Sequence, residues 1–250
     1  MSQLLILCPL PIEMKHLIKS FEKRSWYFEA TGNFKSQNSK GGPSKKLASK
    51  RETSIISLHH SANPSVTIGV GGHGKVQFGV QTQYLLGHLQ DVSAVVCLGA
   101  GGGLSEHIRI GDLVISEKTI EHDYKQRFNS RGHLPEYFGH SDLLAQAKRA
   151  CSFSRDLDFD IHFGDIASGD EDIIDQDRAR ELYDKTKALA VAWEGIGGAR
   201  ACAFSGVPYL EVRAITDNAR STVRESFIQN LPICMDNAAV FIQRLLNGVV

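Results

Sequence analysis

The chain has 250 residues, 42% hydrophobic and 22% charged, and its 28 Lys+Arg against 28 Asp+Glu leave no formal net charge at pH 7. This is a globular composition, long enough to bury a continuous core without disulfide staples. The charge balance supplies no overall basic field to recruit nucleic acid or an anionic membrane, and five dispersed cysteines with no Cys-x-x-Cys pair suit reduced thiols in the cytosol.

The opening run MSQLLILCPLPIE has no basic n-region, and its apolar stretch stops at Pro9, short of the ~20 residues that span a bilayer. Neither a signal peptide nor a transmembrane helix is expected. Residues 4–8 (LLILC) read as a buried strand, and 12–23 (IEMKHLIKSFEK) as a helix with Ile12, His16 or Leu17, and Phe21 at helical spacing. Residues 31–53 hold six Lys+Arg, one acid and almost nothing to bury, which predicts a mobile basic surface loop. Strand-like TSIISLHH and SVTIGV follow, and then KVQFGVQTQYLLGHL, a helix with Val76, Val80 and Tyr84 on one side. VSAVVCLGAGGG reads as a strand running into a glycine turn, and IGDLVISEKTIEHD as a strand region. SDLLAQAKRACSFS is a helix with Ser141 as N-cap, IHFGDIASGD a strand, QDRARELYDKTK a polar helix, ALAVAWEG a strand, and IGGARACAF a small-residue helix. VPYLEVRAIT is the last strand, and the helical stretch from Thr222 to Leu246 contains Pro232, which should break, kink or restart it. Strands alternating with helices, without repeat or linker, predict one α/β domain over residues 1–250.

Two glycine clusters invite a ligand. GVGGHG (69–74) satisfies GxGxxG between a strand and a helix, the dinucleotide-binding context, but that motif needs an acid ending the next strand. Here that strand ends in Cys97, Leu98 and Gly99, so a tight turn with close backbone approach is the better reading. LGAGGGL (98–104) follows a strand directly, so the amides of Ala100 and Gly101 could face a ligand at the carboxyl edge of the sheet.

The order of motifs says more than any one of them. PIE after the first strand, GxGK opening a helix, GAGGGL, GDLVISE with EHD, SGD, WEG and VRAITD together resemble the nucleoside phosphorylase superfamily. Within it the set is most similar to the methylthioadenosine/S-adenosylhomocysteine nucleosidases. The resemblance spans the chain apart from residues 24–60. It implies a central mixed β-sheet flanked by helices, a nucleoside cleft at the strands' carboxyl ends, and hydrolysis of the N-glycosidic bond of adenine nucleosides without metal or organic cofactor.

Carried onto this chain, the resemblance makes Glu13 the activator of the attacking water, Glu194 the anchor of the ribose hydroxyls and Asp217 the acid serving the purine. Arg213 matches an arginine that organises the water site, and Thr216 stands beside the acid, able to hydrogen-bond it. The chemistry asks for such a set. A purine leaves poorly as an anion, so an acid must protonate it as C1′ becomes oxocarbenium-like, while a separated carboxylate leaves room for water on the opposite face. Asp217 follows an apolar strand, where burial would raise its pKa.

Phosphorylases of the superfamily carry an arginine two residues before the glycine of this cluster; here the position is Cys97, which lacks the guanidinium fork. Water is therefore the expected nucleophile, with Lys75 as the residue that could still recruit phosphate. Phosphorolysis, a futalosine-type hydrolysis and mere nucleoside binding are the alternatives.

Two departures bear on the substrate. Trp193 precedes Glu194 where the family usually has methionine, offering a flat surface to sugar or base. Asp172 stands where an aromatic commonly covers adenine, leaving the backbone of Ile173 to meet the base edge. Members are commonly homodimers in which the partner closes the 5′ side of the cleft, and Phe128, Leu134 and Pro135 fall in the matching region. No HExxH, Cys/His pairing or GxSxG supports a metalloenzyme or serine hydrolase. EHD (121–123) lacks a third ligand, which favours a structural role.

Overall fold

Strand β1 (Gln3–Cys8) sends Leu5 and Leu7 to one face and Ile6 and Cys8 to the other, all fully buried. Such two-sided burial requires helices on both sides of a sheet. The computed structural model describes residues 3–29, 33–34, 53–59, 66–125, 133–152, 157–219 and 223–247.

After β1 come helix α1 (Pro11–Glu22) and strands β2 (Tyr27–Glu29), β3 (Asn33–Phe34), β4 (Thr53–His59) and β5 (Val66–Val70). Helix α2 (Lys75–Leu86), strands β6 (Val92–Gly103), β7 (Leu113–Glu121) and β8 (Glu136–Phe138), and helix α3 (Ser141–Cys151) follow. Strand β9 (Ile161–Ser168), helix α4 (Gln176–Thr186), strand β10 (Ala190–Ala192), helix α5 (Gly195–Ser205), strand β11 (Tyr209–Asp217) and helix α6 (Val223–Asn247) complete the order. The mixed sheet runs β10-β9-β7-β11-β6-β1-β5-β4-β2. Because β10 also pairs with β6, strands β6, β11, β7, β9 and β10 close into a ring. Residues of α1, α3 and α6 build the core on one face with Ile6, Val96 and Val212; those of α2 and α5 build the other with Leu7, Val95 and Cys97. The α/β architecture with a central mixed sheet is as expected.

Several local expectations are corrected. β6 does not turn at its glycines: it continues to Gly103, pairing with β11 through Gly102 and with β10 at Gly102 and Gly103. In α1 the buried stripe is Glu13, Met14, Leu17, Ser20 and Phe21, with Ile12 exposed, and the helix opens at Pro11, whose missing N–H costs nothing there. In α2 the stripe Val76, Val80 and Tyr84 faces outward, while Phe78, Thr82 and Leu85 are buried. The helix is turned this way because it lies on α5 glycine to glycine. A Cβ on Gly79 would stand 3.0 Å from the Gly197 carbonyl, and one on Gly197 would collide with that of Lys75.

Ser141 is the first helical residue of α3 and His140 its N-cap. Helix α6 runs unbroken through Pro232. The proline forfeits one backbone bond, but burial of Leu231, Cys234, Met235, Ala238 and Phe241 along one face outweighs it. At the rims of the basic segment, Asn33 and Phe34 pair with Ser54 and Thr53 as strand; residues 35–52, which hold all its basic side chains, lie outside the described residues.

Candidate active site

Pro11 opens α1 directly after β1, which puts Glu13 in the helix's first turn, facing the sheet. Its Oε2 accepts the Leu10 N–H at 2.7 Å, the reach-back of an N-terminal capping glutamate. Its Oε1 accepts the Ala100 N–H from β6 at 2.8 Å. Glu13 is 2% exposed. Burial, then the neighbouring Glu194 charge, push its carboxyl up to about 7 against the pull of the Ala100 N–H, Arg213 and the Leu10 N–H.

Glu194 ends the short β10 crossing as N-cap of α5. Its Oε1 accepts the Gly74 N–H at 3.2 Å and faces His73 Nδ1 at 3.2 Å, and its Oε2 lies 3.3 Å from Arg213 Nη1. Burial pushes this carboxyl up, but the His73 bond, the Arg213 charge and the Gly74 N–H together hold it below the ordinary glutamate value. Gly72 and Gly74 take positive φ, 92° and 80°, which shapes the GVGGHG loop to deliver an N–H to a protein carboxylate.

Asp217 ends β11. Its Oδ2 accepts the Thr216 hydroxyl at 2.9 Å and its Oδ1 the Ala219 N–H at 2.8 Å. Burial raises its pKa, with the Ala219 and Thr216 bonds opposing. Arg213, four residues earlier on β11 and 1% exposed, donates from Nε to Glu211 at 2.8 Å, from Nη1 to the Ala100 carbonyl at 3.2 Å and from Nη2 to Cys97 Sγ at 3.4 Å.

The glycine strand makes this crowding feasible. A Cβ on Gly99 would stand 2.8 Å from Pro9 Cδ and 2.9 Å from Glu13 Oε1; one on Gly102 would stand 2.9 Å from Asp217 Oδ1. Here glycine clears volume for three neighbouring side chains, which its sequence context alone does not reveal. The ligand-facing amide expected at Ala100 is accordingly engaged by Glu13, and Gly101 is held in the β6–β11 ladder.

One cleft of about 380 Å³ gathers Glu13, Glu194, Asp217, Thr216, Trp193, Ile173, Ala100 and Gly101 in its walls. Arg213 lies behind that wall. Phe128 is outside the described residues, and Leu134 and Pro135 do not line the cleft; the Pro135 carbonyl accepts the Glu121 N–H instead. Lys75 is turned away, with Nζ 2.9 Å from Glu121 and 2.7 Å from Asp123, so it is no free phosphate ligand. The EHD segment thus anchors the GHGK turn, and Asp170 of SGD ties it from the other side by accepting the Lys75 N–H at 2.8 Å.

Sequence reasoning missed His73, whose ring stacks on Trp193 at 4.4 Å between centroids, and Val223, Arg224 and Phe227, which bring the start of α6 to the cleft. The signal for His73 was its place inside a glycine turn at a helix start. For α6 there was none. Away from the cleft, Asp112, Asp160 and His162 have cation-site spacing among the described residues, but the Arg109 guanidinium stands 2.6 Å from Asp160 and 3.7 Å from Asp112, already supplying the cation.

A family model described as the phosphorylase superfamily matches residues 3–247. The 5'-methylthioadenosine/S-adenosylhomocysteine nucleosidase of Glaesserella parasuis serovar 5 is 30% identical over 192 residues, covering 74% of this chain and 82% of its own. The enzyme of that name from Marinomonas sp. strain MWYL1 is 28% identical over 186 residues, 71% and 78% of the two chains. Among solved structures, the Helicobacter pylori 5'-methylthioadenosine/S-adenosyl homocysteine nucleosidase in complex with a pyrrolidinol compound superposes with a TM-score of 0.77 at 22% identity, covering 98% of this chain and 97% of that one. The futalosine hydrolase of Helicobacter pylori strain 26695 does so at 0.77 and 23%, with 98% and 97% covered.

Proposed function

The chain belongs to the phosphorylase superfamily, and from that premise we propose that it is a nucleosidase hydrolysing the N-glycosidic bond of adenine nucleosides, with 5′-modified nucleosides of the methylthioadenosine and S-adenosylhomocysteine type as substrates. The observation that carries this reading is the placement of Asp217, Glu13 and Glu194 around one cleft.

Asp217, with its raised pKa, gives its proton to the purine as the C1′–N9 bond breaks and the bonding pair leaves with the base. Water enters from the opposite face; its oxygen bonds C1′ and its proton passes to Glu13. Glu194, ionised and braced by Arg213 and His73, accepts the ribose hydroxyls, an interaction that strengthens as the ring gains positive charge. Trp193 and Ile173 supply apolar walls, Thr216 orients Asp217, and Ala100 and Gly101 form the floor. Cys97 in place of the phosphate-clamping arginine favours water over phosphate.

The chain acts as a homodimer in the cytoplasm. Val76 and Val80 on α2 and Phe204 on α5 are 70%, 65% and 85% exposed and flank one groove, an apolar face suited to a second copy. In that dimer the segment holding Leu134 and Pro135 closes the 5′ side of the partner's cleft; Phe128 lies outside the described residues. The five cysteines are unpaired, four of them buried, as befits a reducing compartment. No described helix is long and apolar enough to cross a membrane.

Incubation with methylthioadenosine, with and without phosphate, tests the reaction. Adenine and free methylthioribose without phosphate are expected. Sugar 1-phosphate formed only with phosphate would mean a phosphorylase, release from futalosine alone a different nucleoside, and binding without cleavage a binding protein.

A further inference from the structure

Arg213 poses a problem that its neighbours solve. A buried guanidinium behind the sugar end of a nucleoside cleft is, by its chemistry, an oxyanion receptor, because its planar fork matches phosphate. Here every part of the fork is engaged. Nη1 serves the Ala100 carbonyl and Glu194, Nη2 the Cys97 sulfur, and Nε the fully buried Glu211 at 2.8 Å.

Glu211 lines no part of the cleft. It points from β11 into the layer under α5, where Gly195 makes room for it: a Cβ at 195 would overlap its carboxylate. Its second oxygen accepts the Thr119 hydroxyl from β7 at 2.6 Å, and Thr119 in turn lies 3.1 Å from the Ser116 hydroxyl. Two strands and a helix start therefore converge on one carboxylate whose ionic partner is Arg213. With Glu194 on the other side, one guanidinium faces two carboxylates before Glu13 is counted.

We propose that Glu211 is a positioning residue for nucleophile choice: it converts Arg213 from an anion-binding group into a neutralised brace for Glu194, so that the cleft accepts neutral water and excludes phosphate. This rests on the nucleosidase reading above and adds the residue that enforces it. Glu211 touches neither substrate nor water and acts through Arg213. Thr119 holds Glu211 in the rotamer that meets Nε.

The test compares Glu211→Gln, Glu211→Asp and Thr119→Val with the unaltered protein in adenine release from methylthioadenosine, across pH and with added inorganic phosphate. The unaltered protein is expected to ignore phosphate. In Glu211→Gln, phosphate should become a competitive inhibitor or a co-substrate yielding sugar 1-phosphate. The acid limb of kcat set by Glu13 should also move to lower pH, because the Arg213 charge, no longer offset, acts more strongly on Glu13. Glu211→Asp should restore indifference to phosphate. Thr119→Val keeps the charge but frees the carboxylate, and should lower kcat about tenfold, roughly the worth of one lost hydrogen bond to a charged group, with KM unchanged.

A folded Glu211→Gln protein that ignores phosphate and keeps the original acid limb overturns the proposal. If that variant does not fold, Thr119→Val with unaltered kcat overturns it equally. Failure of the unaltered protein to release adenine sinks instead the nucleosidase reading.

Discussion

At the end of the cleft proposed to take the base, Asp217 is held, among the described residues, by two neutral donors, the Thr216 hydroxyl and the Ala219 N–H. At the sugar end Glu194 is gripped by an imidazole and a guanidinium, and Glu13 sits beside it within the reach of the same arginine. The same functional group is thus pushed in opposite directions a few residues apart in space. Burial outweighs the Thr216 and Ala219 donors, so the Asp217 pKa rises, in the direction that favours holding the proton it is proposed to give. Beside the His73 bond and the Arg213 charge, the Glu194 pKa falls, which keeps the charge it is proposed to turn toward the sugar ring. Glu13 is intermediate, raised to about 7, which suits a base that must take a proton and later release it. The contrast separates proton donation from charge stabilisation without requiring more than carboxylates.

Four experiments put this contrast to the test. The largest effect is expected at Asp217: Asp217→Asn is close in shape but has no acidic proton to give, and kcat should fall about 10⁴-fold, the upper range for loss of a general acid. Near-normal turnover with adenine as product would show that the acid is elsewhere. Next, Glu13→Gln should lower kcat about 10³-fold. In the unaltered protein activity should be lost as pH falls through about 7, where Glu13 gains its proton. An acid limb that survives Glu13→Gln would assign it to another group.

Third in size is a stability effect. Because the Glu13 pKa is raised from 4.5 to about 7 in the folded state, the fold binds the proton more tightly than the unfolded chain does. Stability from this group is complete below pH 4.5 and declines as pH rises to about 7, by about 3 kcal/mol. Glu13→Gln should therefore be stabilising relative to the unaltered protein at pH 8 and not at pH 4, by less than that amount because its amide faces the Leu10 N–H. Denaturant midpoints at both pH values provide the measurement, and an equal difference at both would show that Glu13 does not titrate as described. Smallest, His73→Ala removes one of two cationic partners of Glu194 and should raise KM about tenfold with little change in kcat. No change in KM would leave Arg213 as the only brace that matters.

Much of this was legible in the chain itself. The strand-helix alternation carried the α/β class because both faces of the sheet are covered, and β6 announced itself by the apolar run from Ala94 to Leu98. Asp217 could be placed because it ends a strand within a motif, and Glu194 because its motif lies just past one. Residues whose position depends on another element's packing could not. Periodicity groups Val76, Val80 and Tyr84 on one side of α2 but does not give which way that side turns; the glycine contact with Gly197 decides that. LGAGGGL was read as a turn since glycine usually marks one, whereas here the bare strand makes space for Glu13 and Asp217 arriving from far along the chain. Pro232 was weighed by local propensity and overruled by the burial of α6. His73 and Glu211 are ordinary polar residues until their carboxylate or guanidinium partner is brought beside them by tertiary structure.

The closure of β6 with β1, β10 and β11 has a consequence for how the protein must be made. One central strand collects residues 3–8, 190–192 and 209–217 along its edges, so the pairings that define the cleft span nearly the whole length of the chain. Such non-local contacts form late and slowly. A nascent chain lacking β11 has neither its proposed proton donor nor the neighbour that covers the long side of β6, and for that interval a glycine-rich strand edge lies bare. The part of the molecule that performs the chemistry is therefore also the last to be assembled, and conditions that slow synthesis or release of the C-terminal segment should appear first as lost activity and aggregation.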